Sequence, residues 1–486
     1  MKNFLELKNC SAVSLEAIPV LEFANFRQTL IDTVGNEKHR VAAFFPLRKE
    51  GEELLCVIMI DSEKQCLYCS AARAEKNYIA LTPEAPQFHW FERELFEKYG
   101  YTPQGHPWLK PIRKADGEYF TMAGDAVNEV AVGPVHAGVI EPGHFRFQCM
   151  GEKVYSLEIS LGYQSRGVEK LLEGAFSSRT LPLFESAAGD SAAAAATGGA
   201  SLFEALSGTE VSLRAQQLRA LMIELERVAN HTGDLGALAG DVAYLPTASF
   251  CGRIRGEYLN MSAEICGNRF GRNYIQPGGV RYDVEPARCE KLLKWLDRIN
   301  PELKHALDLM FDSPTVLDRF ETTGCVSLET ARSIGLVGCA ARASGMDMDV
   351  RRELPAGFYK VDVPAAVPGG SGDVLSRARI RYNEIFASLD FIGRNLRNLA
   401  EGPVMTPFEA DKLQKNSMAV AITGAWRGEL CQIVVTDEKG NIAQSRIVDP
   451  SFHNWFGLAM ALRNEEISNF PICNKSFNLS YCGHDL

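Results

Sequence analysis

The chain has 486 residues, 46% of them hydrophobic and 23% charged, with a formal net charge of −10. At roughly 150 residues per domain the length suggests two to four domains with cores of their own, and the composition excludes a disordered chain. The acidic balance argues against a nucleic-acid partner, and no run of eighteen apolar residues exists to span a bilayer.

From the N-terminus, Val41–Pro46 and Glu53–Ile60 are predicted strands, since Leu54 to Met59 form an apolar run of strand length. Cys66–Ala71 is a candidate third. Phe88–Tyr99 is predicted helical: Phe91, Leu95, Phe96 and Tyr99 fall at helical spacing among charged neighbours, and Gly100 suits its end. The polar turn Ala123–Glu129 marks a boundary between units 1–122 and 123–486. Val154–Leu161 alternates as a strand does, and a helix is expected from about Val168. The strongest helix is Leu213–Leu235, with Leu218, Leu221, Met222, Leu225 and Val228 on one apolar stripe. Further helices are expected at Val284–Asn300, Pro301–Phe311 and Asp373–Leu399, and a hairpin over Gln432–Ser445 turning at Asp437–Gly440. The Ala/Gly/Ser tract Ser186–Ser201 reads as low complexity. The fold class is α+β: an N-terminal α/β domain, then a mainly α-helical bundle domain with small β-sheets at its N- and C-terminal parts.

No apolar core segment follows Met1–Phe4, so no signal peptide is expected. Thirteen cysteines, an odd number, then read as free, mostly buried thiols in a reducing cytoplasm. Cys66 and Cys69 form the one Cys-x-x-Cys. No second pair follows to complete a zinc site, and a strand would point the two thiols to different faces. No glycine-rich phosphate loop is present, so nothing supports direct NAD binding.

Four blocks carry a resemblance. Phe91-Glu-Arg-Glu-Leu-Phe-Glu-Lys-Tyr-Gly100 with Gly105-His-Pro107 is similar to the small peripheral-arm subunit of respiratory complex I. The other three are similar to the large subunit shared by complex I and group 4 membrane-bound nickel–iron hydrogenases. They are Gly133-Pro-Val-His136 through Glu141-Pro-Gly-His144 to Gly162-Tyr-Gln-Ser-Arg-Gly-Val-Glu-Lys170; Glu224-Leu-Glu-Arg-Val-Ala-Asn-His-Thr-Gly233 with Gly267-Asn-Arg-Phe-Gly271 and Pro277-Gly-Gly-Val280; and Asp449-Pro-Ser-Phe-His-Asn-Trp455 with Asn474-Lys-Ser-Phe-Asn-Leu-Ser-Tyr481. Their order is that of a fusion: 1–122 resembles the small peripheral-arm (30 kDa-like) domain and 123–486 the large subunit.

The resemblance implies a site and partners. In the hydrogenase branch two Cys-x-x-Cys pairs hold the metals, since soft thiolates suit nickel and iron. Here they fall on Ala188-Gly-Asp-Ser191 and Ser451-Phe-His-Asn454, which argues against nickel–iron, and the histidine expected after the first pair falls on Ala195. In the complex I branch a quinone site uses two histidines and a tyrosine. His136 matches the first, the second falls on Ile140 and the tyrosine on Gly189. Arg166-Gly-Val-Glu169 keeps the pattern in which the glutamate relays protons; a helix-start salt bridge from Glu169 to Lys170 or Arg166 is the plain alternative. Arg427 matches an arginine overlooking the metal centre, or pairs structurally with Glu429. His231 shares a face with Arg227, as a proton path or a satisfied core histidine. Arg342-Ala-Ser-Gly345 and Asp349-Val-Arg-Arg352 are expected against a partner.

Catalytic candidates are thus Glu169, Arg166 and Arg427, with His136 for quinone and no metal ligand. Implied partners are an iron–sulfur small subunit that holds a 4Fe–4S cluster and antiporter-like membrane subunits, with the chain at the cytoplasmic side of the membrane. Three roles remain open: a non-nickel subunit that links electron transfer to ion movement, a quinone reductase subunit with a rebuilt cavity, and a non-catalytic scaffold. NAD enters only because complex I as a whole oxidises NADH.

Overall fold

The apolar run around Val57 becomes the strand Glu52–Asp61, buried on both faces from Leu54 onward because it sits inside a sheet. Its antiparallel neighbours are His39–Lys49 and Cys66–Arg73, and the helix Phe23–Val34 packs on this sheet. The computed structural model describes residues 3–35, 38–49, 51–113, 119–136, 141–365 and 369–486. Leu5–Leu7 and Val20–Glu22 flank Cys66–Arg73, the second in parallel. The predicted helix forms as His89–Tyr99, and Gly100 closes it in a left-handed conformation.

A three-stranded antiparallel sheet follows, Val127–Val132, His144–Met150 and Lys153–Ser160. The helix expected from Val168 is one turn, Val168–Leu171. A second, four-stranded sheet carries the predicted hairpin. Ser417–Gly424 pairs with Glu429–Thr436, which pairs with Ile442–Val448, and the outer position beside Ser417–Gly424 is taken by Ser11–Ser14 from the start of the chain. Gln444 adds a second tie, since its amide bonds the carbonyl of Pro46 and the N–H of Arg48.

The helical part is built on Leu213–Asp241, packed against Leu245–Cys266 and Val374–Arg397, with Pro286–Phe311 completing the bundle. This helix departs from the single-stripe expectation: it is buried almost all round, so Glu224, Arg227, His231 and Asp234 are interior residues. The tract Ser186–Ser201 is not loosely ordered. It supplies the helix Ala192–Ser207, small because the sheet lies directly on it: a Cβ added to Gly198 would meet Gln432 at 1.9 Å. Val284–Asn300 and Pro301–Phe311 are one helix, Pro286–Phe311, with Pro301 inside it. Pro301 and Asp297, the residue whose carbonyl loses its donor, both face solvent, where water can satisfy that oxygen. The architecture is α+β. No helix of the described residues is long and apolar enough to cross a membrane.

Candidate functional site

Arg427 follows the strand Ser417–Gly424 in the turn before Glu429–Thr436. Its two terminal nitrogens donate to the two carboxylate oxygens of Asp190, each at 2.7 Å, and its Nε donates to the carbonyl of Asn478 at 2.6 Å. The guanidinium lies 3.9 Å from the ring centre of Trp426. The backbone of Asp190 is held as well: its carbonyl accepts from Asn230 at 2.8 Å and from the indole of Trp426 at 3.0 Å. Burial works to raise the Asp190 carboxyl, but the Arg427 charge outweighs it, so the group is held below its ordinary range.

Asp449 stands beside this pair and caps the helix Pro450–Ala461 through the N–H of Ser451, 2.8 Å away. Burial raises its carboxyl against the pull of Arg427, and the charge of Asp190 adds to the rise. Glu226, on the long helix, accepts from the N–H groups of Ala193 and Ala194 at 2.7 and 3.3 Å. Burial pushes its carboxyl up to about 8 against those bonds.

The first tetrapeptide at the thiolate positions meets Arg427 through Asp190, and Asp449, whose charge acts on the same arginine, lies two residues before the second. Ala188 and Ser191 lie on either side of Asp190. In the other, Ser451 Oγ accepts from Ser480 N at 2.8 Å, and Asn454 makes two bonds to the backbone of Val337. A nickel–iron centre needs four convergent thiolates. Cys482 Sγ lies 3.4 Å from Ser480 Oγ, whereas Cys266 Sγ bonds the carbonyls of Ser262 and Asn268 at 3.3 and 3.4 Å. Neither thiol has another beside it, so this donor set does not fit the bimetallic group.

The other sequence candidates lie elsewhere. Glu169 is not joined to Arg427; it accepts from Lys98 at 2.6 Å, Arg446 at 3.1 Å and the N–H of Ile447 at 3.0 Å. Burial opposes ionisation, but Arg446 and Lys98 hold the carboxyl below its ordinary range. Arg446 is shared with Glu94. The expected bridges to Lys170 or Arg166 do not form. Arg166 instead donates to the carbonyls of Ser186 and Ala187, bracing the loop before Asp190. Glu429 is not the partner of Arg427 either, because it accepts from Arg40 at 2.7 Å, an arginine of the N-terminal sheet.

His136 Nε2 lies 2.9 Å from the carbonyl of Gly143. Ile140 lies outside the described residues. At Gly189 a Cβ would stand 2.9 Å from an Arg272 nitrogen, so a tyrosine there would require that arginine to move. Cys69 Sγ is 3.8 Å from Cys56 Sγ on the neighbouring strand, and both are fully buried.

A second buried network runs along the long helix. Glu224 accepts from Arg227, Arg351, Tyr359 and Ser388. His231 Nε2 lies 2.8 Å from Glu384, which also holds Arg342. Cys339 joins them, and among the described residues His231, Cys339 and Glu384 are the one set of such side chains whose atoms, within 4.8 Å of one another, could share an ion.

Sequence reasoning passed over Asp190 and Glu226. Asp190 is the only charged residue between Glu185 and Glu204, which was a usable signal. Glu226 gave none until the helix was seen to be buried on every face.

A large, buried, ion-paired bundle, with the first tetrapeptide held to Arg427 through Asp190, defines a large subunit of the complex I and membrane-bound hydrogenase type. Residues 241–421 match the family model for the respiratory-chain NADH dehydrogenase 49 kDa subunit. The C/D subunit of the NADH-quinone oxidoreductase of Bacteroides fragilis is 30% identical over 400 residues, covering 72% of this chain and 75% of that one. Formate hydrogenlyase subunit 5 of Escherichia coli is 27% identical over 500 residues, 95% of this chain and 86% of that one. The carbon monoxide-induced hydrogenase of Rhodospirillum rubrum is 29% identical over 355 residues, 72% and 96% of the two chains. The chain belongs to this family of complex I and hydrogenase-related large subunits.

Proposed function

We propose that the chain is the non-nickel large subunit of a membrane-associated, complex-I-related redox assembly, coupling electron transfer from a partner 4Fe–4S subunit to ion translocation. In this reading residues 1–122 are the small peripheral-arm domain and 123–486 the large-subunit domain, and antiporter-like subunits hold the assembly to the cytoplasmic side of the membrane. The carrying observation is the Asp190–Arg427 pair: a carboxylate from within the first thiolate tetrapeptide occupies the guanidinium that would overlook a metal centre. Bidentate pairing satisfies the arginine internally, leaving it no fork to offer an external anion.

What these residues can move is protons. Glu226 keeps a carboxyl proton near neutrality, and Asp449 is raised in the same direction, both next to a fixed ion pair. A change of charge in a neighbouring redox group would shift their affinities by the same Coulomb interactions that set them now. Protonated at neutral pH, Glu226 would release its proton when that group is oxidised and rebind it on reduction, so redox change and proton movement are linked without a ligand held by this chain.

The test is to purify the assembly through a tag on this chain and assay metals, hydrogen turnover and redox-driven ion uptake in vesicles. The reading expects iron in cluster amounts, no stoichiometric nickel, no hydrogen turnover, and ion uptake that falls in the Glu226→Gln variant. Stoichiometric nickel with hydrogen evolution would overturn it.

A further inference from the structure

Around the loop that carries Asp190 the surface is rimmed by arginines. Arg272 donates to the carbonyl of Gly189 at 3.3 Å. Arg255 lies along Gly233, its side chain 2.8 Å from where a Cβ would be, and its charge reaches Asp190. Arg269 comes within 4.0 Å of a Cβ built on Gly256, beside Arg255. Arg281 is brought back to the same edge by a short hairpin, Ile275–Gln276 against Gly279–Val280, and its N–H bonds the carbonyl of Tyr274. Arg269, Arg272 and Arg281 are exposed and Arg255 is half-buried. Among the described residues none of the four forms an ion pair.

This island is unusual for a chain of net charge −10. Residues 265–282 contain three arginines and no aspartate or glutamate. The acids of the adjoining helix Leu245–Cys266 are already engaged, Glu257 by Trp295 and Arg298, Glu264 by Lys291. Glu185, within reach of Arg272 and Arg281, is buried and spends its carboxylate on the N–H of Asn273 at 2.6 Å. Two exposed aromatics, Phe270 (39% exposed) and Tyr282 (51%), lie in the same stretch. Arginine with aromatic side chains is the composition of protein interface anchors, and guanidinium forks fit carboxylates in pairs.

We propose that this arginine rim is the docking surface for an acidic segment of a partner subunit, seated over the Ala188–Ser191 loop. Docked carboxylates would pair Arg269, Arg272 and Arg281 and cover Phe270. The rest of the acidic surface would repel the same segment, which fixes where it lands. The inference rests on the chain being a subunit of an assembly, but not on which chemistry that assembly performs.

The test uses the full assembly, with a photo-crosslinking amino acid in place of Phe270. The expected crosslink is to a peptide of another subunit with a clear excess of Asp and Glu. In the Arg269→Glu/Arg272→Glu variant that subunit should leave the tagged complex at a several-fold lower salt concentration, with the melting temperature of this chain unchanged. Arg269→Lys/Arg272→Lys should retain it, and Arg73→Glu on the distant N-terminal sheet should have no effect. Crosslinks to lipid alone, to a peptide without acid excess, or to nothing would overturn the proposal, as would unchanged salt resistance in the charge-reversed variant. Finding nickel would defeat the non-nickel reading and leave this one standing.

Discussion

Asp190 and Arg427 meet through two parallel hydrogen bonds of 2.7 Å, although 237 residues separate them in the chain. The arginine side chain is 5% exposed and the aspartate 36%, so the pair sits at the boundary between core and surface. Its geometry joins the start of the Ala-rich helix to the end of a sheet strand, and Asn478 draws in the C-terminal segment through Arg427 Nε. The place where the family resemblance puts soft metal ligands is thereby tied together by charge.

Asp190→Ala should leave Arg427 charged with only one carbonyl to satisfy it. Because the carboxylate is partly exposed, the loss should lie between surface and buried values, roughly 2 kcal/mol. The Asp190 carboxyl is depressed in the folded state, so its contribution is present above the unfolded value of about 3.9 and fades as pH falls through the folded one. Thermal unfolding of the two proteins should differ clearly at pH 7 and converge in acid.

Glu226 should hold a proton at pH 7. Its carboxyl is raised to about 8 by burial, so the folded state binds more protons than the unfolded between about pH 4 and pH 8. The stabilisation from this group is complete below about pH 4 and is lost as pH rises through 8. Infrared difference spectra should show a protonated-carboxyl band that disappears as pH passes about 8 and is missing in Glu226→Gln. The variant's melting temperature should gain on the wild type as pH rises from 5 to 8. A flat pH dependence in the wild type would refute the assignment.

The strand around Val57, the hairpin after Gln432 and the helix from Leu213 were legible because their signals are local. The Leu54–Met59 run, the stripe from Leu218 to Val228 and Gly100 as a helix end need no knowledge of distant residues. The helix Leu245–Cys266 was invisible because its packing depends on absent side chains: at Gly236 a Cβ would come within 2.6 Å of Cys251 Cβ. The same holds for the Ala/Gly/Ser tract, whose smallness records a sheet lying on it. The resemblance singled out Arg427, Glu169 and His136, but the structure does not bring the three together, and their partners were not legible. Glu169 pairs with Lys98 and Arg446, and Arg427 with Asp190, across separations that no spacing rule covers.

Glu169→Gln should cost about 3 kcal/mol, the scale for breaking a buried pair, moderated because Arg446 keeps Glu94 and Lys98 reaches solvent. The carboxyl is held low by Arg446 and Lys98, so the difference from wild type should be full above the unfolded value near 4 and lost as pH falls through the folded one. Urea midpoints across that range would measure it. A charged carboxylate can accept a proton but has none to donate at neutral pH. If redox-driven ion uptake in vesicles depends on Glu169 as a relay, Glu169→Asp should preserve it and Glu169→Gln should abolish it.

Glu384→Gln should be the most damaging of these changes. Around Glu384 the interior charges balance as Glu224, Asp349 and Glu384 against Arg227, Arg342 and Arg351, so removing one acid leaves a net positive core that also contains His231. The loss expected is about 3–5 kcal/mol. Burial opposes a charged His231, but Cys339 and Glu384 together raise its pKa. The stability it contributes is therefore present below the unfolded value of about 6.5 and lost as pH rises through the folded one. Cys339 sits in the same balance: burial and the Glu384 charge raise its thiol, yet the neighbouring His231 and Arg342 bring it below the ordinary value. Cys339→Ser should then lower the His231 pKa, read by NMR of the imidazole. An unchanged His231 titration would show that the thiol takes no part in the balance.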